Sequence, residues 1–219
     1  MKRAWVLAII VGLFVLQIAS GSSNVMTDRC VNGTCEIVAQ TSPWAIVAAL
    51  VCLAVVIFHR PLASSPAPEQ KVRLRSRLAA FFIDIFAGFS IVGPLSALPM
   101  VLYVAVASGS FWWGARISGP NLWEHLFAVV LVLGAVLGLF VYFYAPQARG
   151  RQTLGQYVMG YRVERVEGQA VNYVVLGLLT FVGVCAWPVS MVLALLRPDR
   201  EFWWSLKSGV RAVRLAPAI

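Results

Sequence analysis

The chain has 219 residues, of which 60% are hydrophobic and 12% charged, with mean hydropathy +0.79. This composition excludes an ordinary soluble domain and predicts an all-α polytopic membrane protein. The formal charge of +9 does not point to nucleic acid, because the Lys and Arg cluster beside apolar runs, as positive-inside topology demands, and no recognition module is visible.

Taken in order, Met1-Lys2-Arg3 leads into the apolar run Ala4–Ala19, followed by Ser20 and Gly21. Residues 1–21 read equally as a signal peptide or as a first transmembrane helix. Either reading places 22–43 outside. That segment holds Cys30-Val-Asn-Gly-Thr-Cys35. Asn32-Gly33 is a tight-turn dipeptide, and two Cys flanking it predict a stapling disulfide, Cys30 to Cys35. A redox-active pair is the lesser reading, since the spacing is not Cys-x-x-Cys. A transmembrane helix is expected over 44–58, started by Pro43 and Trp44. His59-Arg60-Pro61 ends it on the cytoplasmic side, and residues 59–76 form a basic linker. There Lys71, Arg73, Arg75 and Arg77 alternate with uncharged residues and suit contact with anionic lipid head groups.

The apolar run that follows carries Asp84, the one acid inside any apolar run of the chain. An Asp centred in a membrane span costs roughly 2.5–3.5 kcal/mol and is normally turned to a bundle interior or wet cavity with a partner. Arg77, two turns earlier, shares its face about 10 Å away along the axis. Ala80, Ala87 and Gly88 lie near that face and form a small-residue seam for a close neighbour, while Phe82, Ile85, Phe86 and Phe89 suit lipid. Gly93-Pro94 and Pro99 predict a break in the helix spanning 77–107. Residues 108–123 read as an outer loop with an aromatic belt of Phe111, Trp112, Trp113 and Trp123. Asn121 caps a returning helix over 124–145, in which Gly134 and Gly138 have the spacing of a packing seam and are the candidate receivers of the Asp84 face.

Residues 146–173 form a cytoplasmic segment with Arg149, Arg151, Arg162 and Arg165, punctuated by glycines but lacking the Walker Gly-Lys-Ser/Thr. The run 174–196 has Trp187-Pro188 at its middle. If it crossed the membrane, five basic residues would follow on the outside, so a re-entrant or interfacial hairpin is favoured. A small internal echo, Gly160-Tyr-Arg-Val and Gly209-Val-Arg-Ala, recurs on either side of this hairpin. In all, three or four transmembrane helices are expected besides the hairpin, with a possible small cytoplasmic β pairing.

The octet Arg77-Leu-Ala-Ala-Phe-Phe-Ile-Asp84 resembles the first-helix signature of the RDD family of integral membrane proteins, named for one Arg and two Asp. The stretch from Gly150 to Val163 resembles the family's second motif through Gly150, Thr153, Gly155, Gly160 and Arg162, with Gln156 where a Lys is usual. Gly209 and Arg211 fit the tail of a third motif, in which the family's His falls on Trp204 and its second Asp on Ser205. The resemblance runs from about Arg73 to Leu215 and implies an RDD-like membrane domain over 77–215 in a cell (inner) membrane.

The residue inventory argues against an enzyme. Two His, no His-Glu-x-x-His and no Gly-x-Ser-x-Gly leave no acid–base pair or nucleophile set, and no cofactor or metal is expected. An intramembrane acid beside a broken helix suggests transport of a small cation or proton, with Asp84 and Arg77 as candidate site residues. Relatives in the RDD family are proposed transporters. The alternative is a non-catalytic scaffold or assembly partner in which Asp84 is interhelical glue. Either would act as a homo-oligomer or with another membrane protein.

Overall fold

The computed structural model describes residues 3–19, 25–31, 34–58, 66–119, 121–149, 151–165, 173–196 and 202–215. Helices dominate, joined by two small antiparallel sheets. The chain forms two compact units. One comprises Met1–Leu7, Phe58–Ala87 and Leu139–Ile219; the other comprises Ala8–Ile57 and Gly88–Gly138.

Two of the described helices are long and apolar enough to cross a membrane: α3 (Leu74–Ser108) and α4, which spans Leu122–Ala148 and is apolar enough over Leu122–Gln147. The helices before them, α1 (Arg3–Ala19) and α2 (Pro43–Phe58), have 17 and 16 residues, just under the roughly 20 that a bilayer core requires. In α1, Val6 and Ile10 are buried.

The break expected at Pro94 and Pro99 does not occur. Both prolines lie inside the single 35-residue α3. In hydrocarbon the backbone has no water to turn to, so an interrupted helix would strand several N–H and C=O groups, whereas proline in a continuous helix removes only its own bonds. Ser96, between the two prolines, also donates from Oγ to the Gly93 carbonyl at 2.9 Å.

The unit containing Gly88–Gly138 holds a sheet of order β1-β2-β4, with β1 at Val25–Val31, β2 at Thr34–Gln40 and β4 at Gly114–Ser118. The strand β4 lies in the segment read from sequence as a loop. It continues the hairpin's hydrogen bonding, pairing Val38 with Arg116 and Ala39 with Ala115. Arg116 Nε also meets Glu36 Oε1 at 2.8 Å across the strands. Ile37 and Ala39 are buried against Met100, Val101 and Ala128. Alternation in β2 therefore turns one face onto the helices.

The other unit holds a sheet of order β3-β6-β5, with β3 at Pro66–Lys71, β5 at Tyr161–Arg165 and β6 at Val210–Leu215. The sequence echo is thus a true pairing, and each copy is a short helix, a left-handed glycine and a strand. In the first copy α5 (Leu154–Met159) precedes Gly160 at φ 71° and β5; in the second α8 (Trp203–Lys207) precedes Gly209 at φ 68° and β6. Between the strands, α6 (Tyr173–Cys185) and α7 (Trp187–Leu196) meet at a bend of 102°. The strand after this bent pair bonds to the strand before it, so both ends of the pair return to the same sheet, as a re-entrant hairpin requires.

Cys30 and Cys35 stand directly opposite each other in the β1–β2 ladder, although their side chains, and the Asn32-Gly33 turn between them, lie outside the described residues. Cys52 and Cys185 are free thiols. A two-residue turn makes the pair flanking it hydrogen-bonded and the next pair, Cys30 with Cys35, non-hydrogen-bonded, where Cα atoms approach to about 4.5 Å, within disulfide range. Protein prepared through an oxidising compartment should therefore take up two maleimide labels per chain when denatured without reductant, matching the two free thiols, and four after reduction, matching all four Cys. Intact-mass measurement distinguishes the two states.

Candidate functional site

The buried face of α3 carries Arg77, Ala80, Phe81, Asp84 and Ala87 at helical spacing, and Phe82 and Phe89 are exposed on other faces. The small-residue seam is real, but its occupant is not the Gly134/Gly138 pair. A Cβ added at Gly134 would meet nothing within 4 Å, and one at Gly138 would meet only Val92. The occupant is α5. Gly155 lies directly on α3, so that an added Cβ would strike the Ala80 backbone, 2.7 Å from its carbonyl carbon. Ala80 and Gly155 are the two small residues that make this approach possible.

The close approach delivers donors to the acid. Thr153 Oγ1 donates to Asp84 Oδ2 at 2.6 Å, and the Gly155 backbone N–H donates to Oδ1 at 2.7 Å. The Tyr142 hydroxyl, from α4, donates to the same Oδ1 at 2.9 Å. Both carboxyl oxygens are thus occupied, and three donors from two other segments converge on α3. The carboxyl also sits at the N-terminus of α5, where exposed N–H groups favour negative charge.

Local sequence builds this arrangement. Thr153 is the N-cap of α5, and Gln156 Oε1 accepts from its backbone N–H at 3.2 Å, completing a capping box. Gln156, the departure from the usual Lys, therefore has a structural task. Gly160 ends α5 with an αL cap that turns the chain into β5, a conformation that costs glycine nothing. Gln152 Nε2 bonds the Tyr161 carbonyl at 2.6 Å, tying the start of α5 to the strand that follows it.

Beside the carboxyl is a cavity of about 50 Å³ lined by Arg77, Asp84, Gln147, Thr180, Tyr161 and Ser205 among others. Its walls include Phe81, Phe143, Leu176, Phe202 and Trp204 from the unit's apolar core. The volume admits roughly three waters. Thr180 Oγ1 is buried there with no hydrogen-bond partner among the described residues. Burial raises the Tyr161 phenol well above its usual range, and the Asp84 carboxyl raises it further, against a lowering by Arg77. It therefore remains a protonated hydroxyl.

Of the residues singled out in the sequence, Arg77, Asp84, Thr153, Gln156, Trp204 and Ser205 line this one cavity. Arg162 and Arg211 do not line it. Arg162 pairs with Glu164 on its own strand at 2.6 Å, and Arg211 stands opposite Glu164 in the β5–β6 register. Gly150 lies outside the described residues. Sequence reasoning missed Tyr142 and Thr180. The capping box Thr153-x-x-Gln156 was a legible signal for the start of α5.

Gly155→Ala should lower stability by roughly 1–3 kcal/mol, because the obstacle is backbone that cannot give way. Gly134→Ala, in open space, should leave stability unchanged or raise it by up to about 1 kcal/mol through helix propensity. Thermal unfolding in detergent measures both.

The sequence model of the RDD family matches residues 72–204, more than half of the chain. The match includes the Asp84 knot and stops one residue short of Ser205. Neither the curated proteins nor the solved structures contain a match. With this span matched, and with its motif residues drawn together around a buried carboxyl, the chain belongs to the RDD family.

Proposed function

We propose that this membrane protein is a non-catalytic scaffold or assembly module, acting through contacts with its own copies or with another membrane protein. It sits in the cell (inner) membrane, and the positive-inside rule orients it with segments 59–77 and 146–173 in the cytoplasm and 22–43 and 108–123 outside. The observation that carries this reading is the saturation of Asp84 by Thr153, Gly155 and Tyr142. An acid in an apolar helix is offset here by three bonds that fasten α4 and the α5 segment to α3. A carrier that used this group would have to release those bonds in each cycle. The described cavity lining also holds one carboxyl against one guanidinium, which is a poor balance for retaining a cation.

The second reading is proton- or cation-coupled transport centred on Asp84 and Arg77. It is favoured by the water-sized space beside the carboxyl and by the unsatisfied Thr180 hydroxyl. Asp84→Asn separates the two. An Asn oxygen at the Oδ1 position keeps the bonds from Tyr142 and Gly155. Its amide then faces Thr153 Oγ1, which can rotate to accept. The knot should survive with a loss of about 1 kcal/mol, whereas Asp84→Leu strands three donors at roughly 1–3 kcal/mol each.

The experiment is reconstitution of wild type and both variants in proteoliposomes, following lumenal pH under imposed Na⁺ or K⁺ gradients, with thermal unfolding of the same samples. The scaffold reading expects no cation-driven pH change in any protein, near-native melting for Asp84→Asn and collapse for Asp84→Leu. A flux present in wild type and lost in a stably folded Asp84→Asn protein would replace it with transport.

A further inference from the structure

Thr180 sits on α6, and its side chain lines the cavity beside Asp84. A threonine inside an apolar helix ordinarily bonds its hydroxyl back to a carbonyl one turn earlier. Thr180 makes no such bond. The residue is 7% exposed, and its Oγ1 has no hydrogen-bond partner among the described residues. A buried hydroxyl in that state is costly unless something in the cavity bonds it.

The cavity suits water as that partner. It has room for roughly three waters, and a buried water wants about two to four polar groups around it. Gln147 of α4 and Ser205 of α8 share the lining with Thr180. Gln147 Nε2 donates to the Phe143 carbonyl at 3.0 Å, and its amide oxygen is an acceptor. The hydroxyls of Thr180 and Ser205 can each donate and accept. An acid in a spanning helix is normally turned to wet surroundings of this kind.

Water also has a way in. A second polar cavity, of about 150 Å³, opens at the start of α3, and Arg73, Arg75 and Arg214 on its lining are exposed. Among the described residues, Tyr161 alone lines both cavities. Its side chain is therefore the partition between the solvent-facing space and the buried one. Its backbone is fixed by the ladder opposite Arg214 and by the bond from Gln152 to its carbonyl, so the side chain is the part left to move.

We propose that the cavity beside Asp84 is a water site, in which bound water bridges Thr180 to Gln147 and Ser205 and exchanges with solvent past the ring of Tyr161. Such water carries the polar network of the Asp84 knot on to α6, and it satisfies Thr180 without an ion that moves. The site goes beyond the scaffold reading and does not depend on it: flux in proteoliposomes decides that reading, and hydration of the cavity decides this one.

The test is X-ray hydroxyl-radical footprinting of the full chain in detergent, with oxidised side chains located by mass spectrometry. The radicals form from water, so a buried side chain is oxidised only where water is bound beside it. Phe81 and Phe143 are buried and line the cavity. Met100 is 0% exposed and lies in the other unit. Wild type should be oxidised at Phe81 and Phe143 but not at Met100, although a thioether is the more reactive group. Thr180→Val removes the hydroxyl at nearly constant shape and should abolish oxidation of both phenylalanines; Thr180→Ser should retain it. Rapid mixing into heavy-oxygen water before exposure follows exchange, read as heavy oxygen fixed on the rings. Tyr161→Ala should speed that exchange and Tyr161→Trp should slow it. Unmodified phenylalanines in folded wild type would overturn the site, and so would oxidation that persists in Thr180→Val. Wild type alone decides the site if Thr180→Val does not fold. Exchange unchanged in whichever Tyr161 variant folds would overturn the partition.

Discussion

The fold of the unit that contains Asp84 depends on satisfying one carboxyl group inside an apolar helix. Hydrocarbon offers no donors, so the protein brings them: a threonine hydroxyl, a backbone amide and a tyrosine hydroxyl. The geometry is demanding because a backbone amide can donate to a helix-borne side chain only if two backbones come close. Ala80 on one side and Gly155 on the other make that distance possible. The bonds and the small residues are therefore a single device.

Much of the remaining architecture follows from where that device sets α5. Once its N-terminus is fixed against Asp84 and its C-terminus is turned by Gly160, β5 must start beside α3. β5 in turn pairs with β6, and the bent α6–α7 pair must fit between them. The second helix–glycine–strand unit is held from the other side by aromatic packing. Phe202 and Trp204 stack with ring centroids 4.3 Å apart, and both lie against Phe81 of α3. Gly183 on α6 leaves the space that Trp204 occupies. The two helix–glycine–strand copies thus reach α3 by different chemistry, polar for the first and aromatic for the second.

The unit with the β1-β2-β4 sheet solves a simpler problem. Its strands bury Ile37 and Ala39 on one face and carry the Arg116–Glu36 pair across the ladder. The aromatic residues Phe111 and Trp113, in edge-to-face contact, lead into β4. Their side chains are partly exposed, consistent with an interfacial belt.

Residence in a membrane, the long apolar helices, the acid that needs partners and the paired Gly-x-Arg strands were all legible in the residues themselves. Each is a matter of composition, period or local repeat, which a chain carries whatever its partners. The RDD motifs likewise marked Arg77, Asp84 and Thr153, which gather at the cavity. The partners themselves were decided by tertiary structure. Small-residue spacing predicts that something approaches Asp84 but not what, and Gly134/Gly138 and Gly155 advertise the same capacity. Only the fold shows that Gly155 is the one set against Ala80, and that Tyr142 is a donor to Asp84. Proline frequency predicted a break in α3, yet a helix in hydrocarbon keeps its ladder because leaving it strands more groups than the prolines remove. Strand β4 was hidden for the complementary reason: a short edge strand owes its existence to the neighbour it bonds, and five residues alone do not name that neighbour.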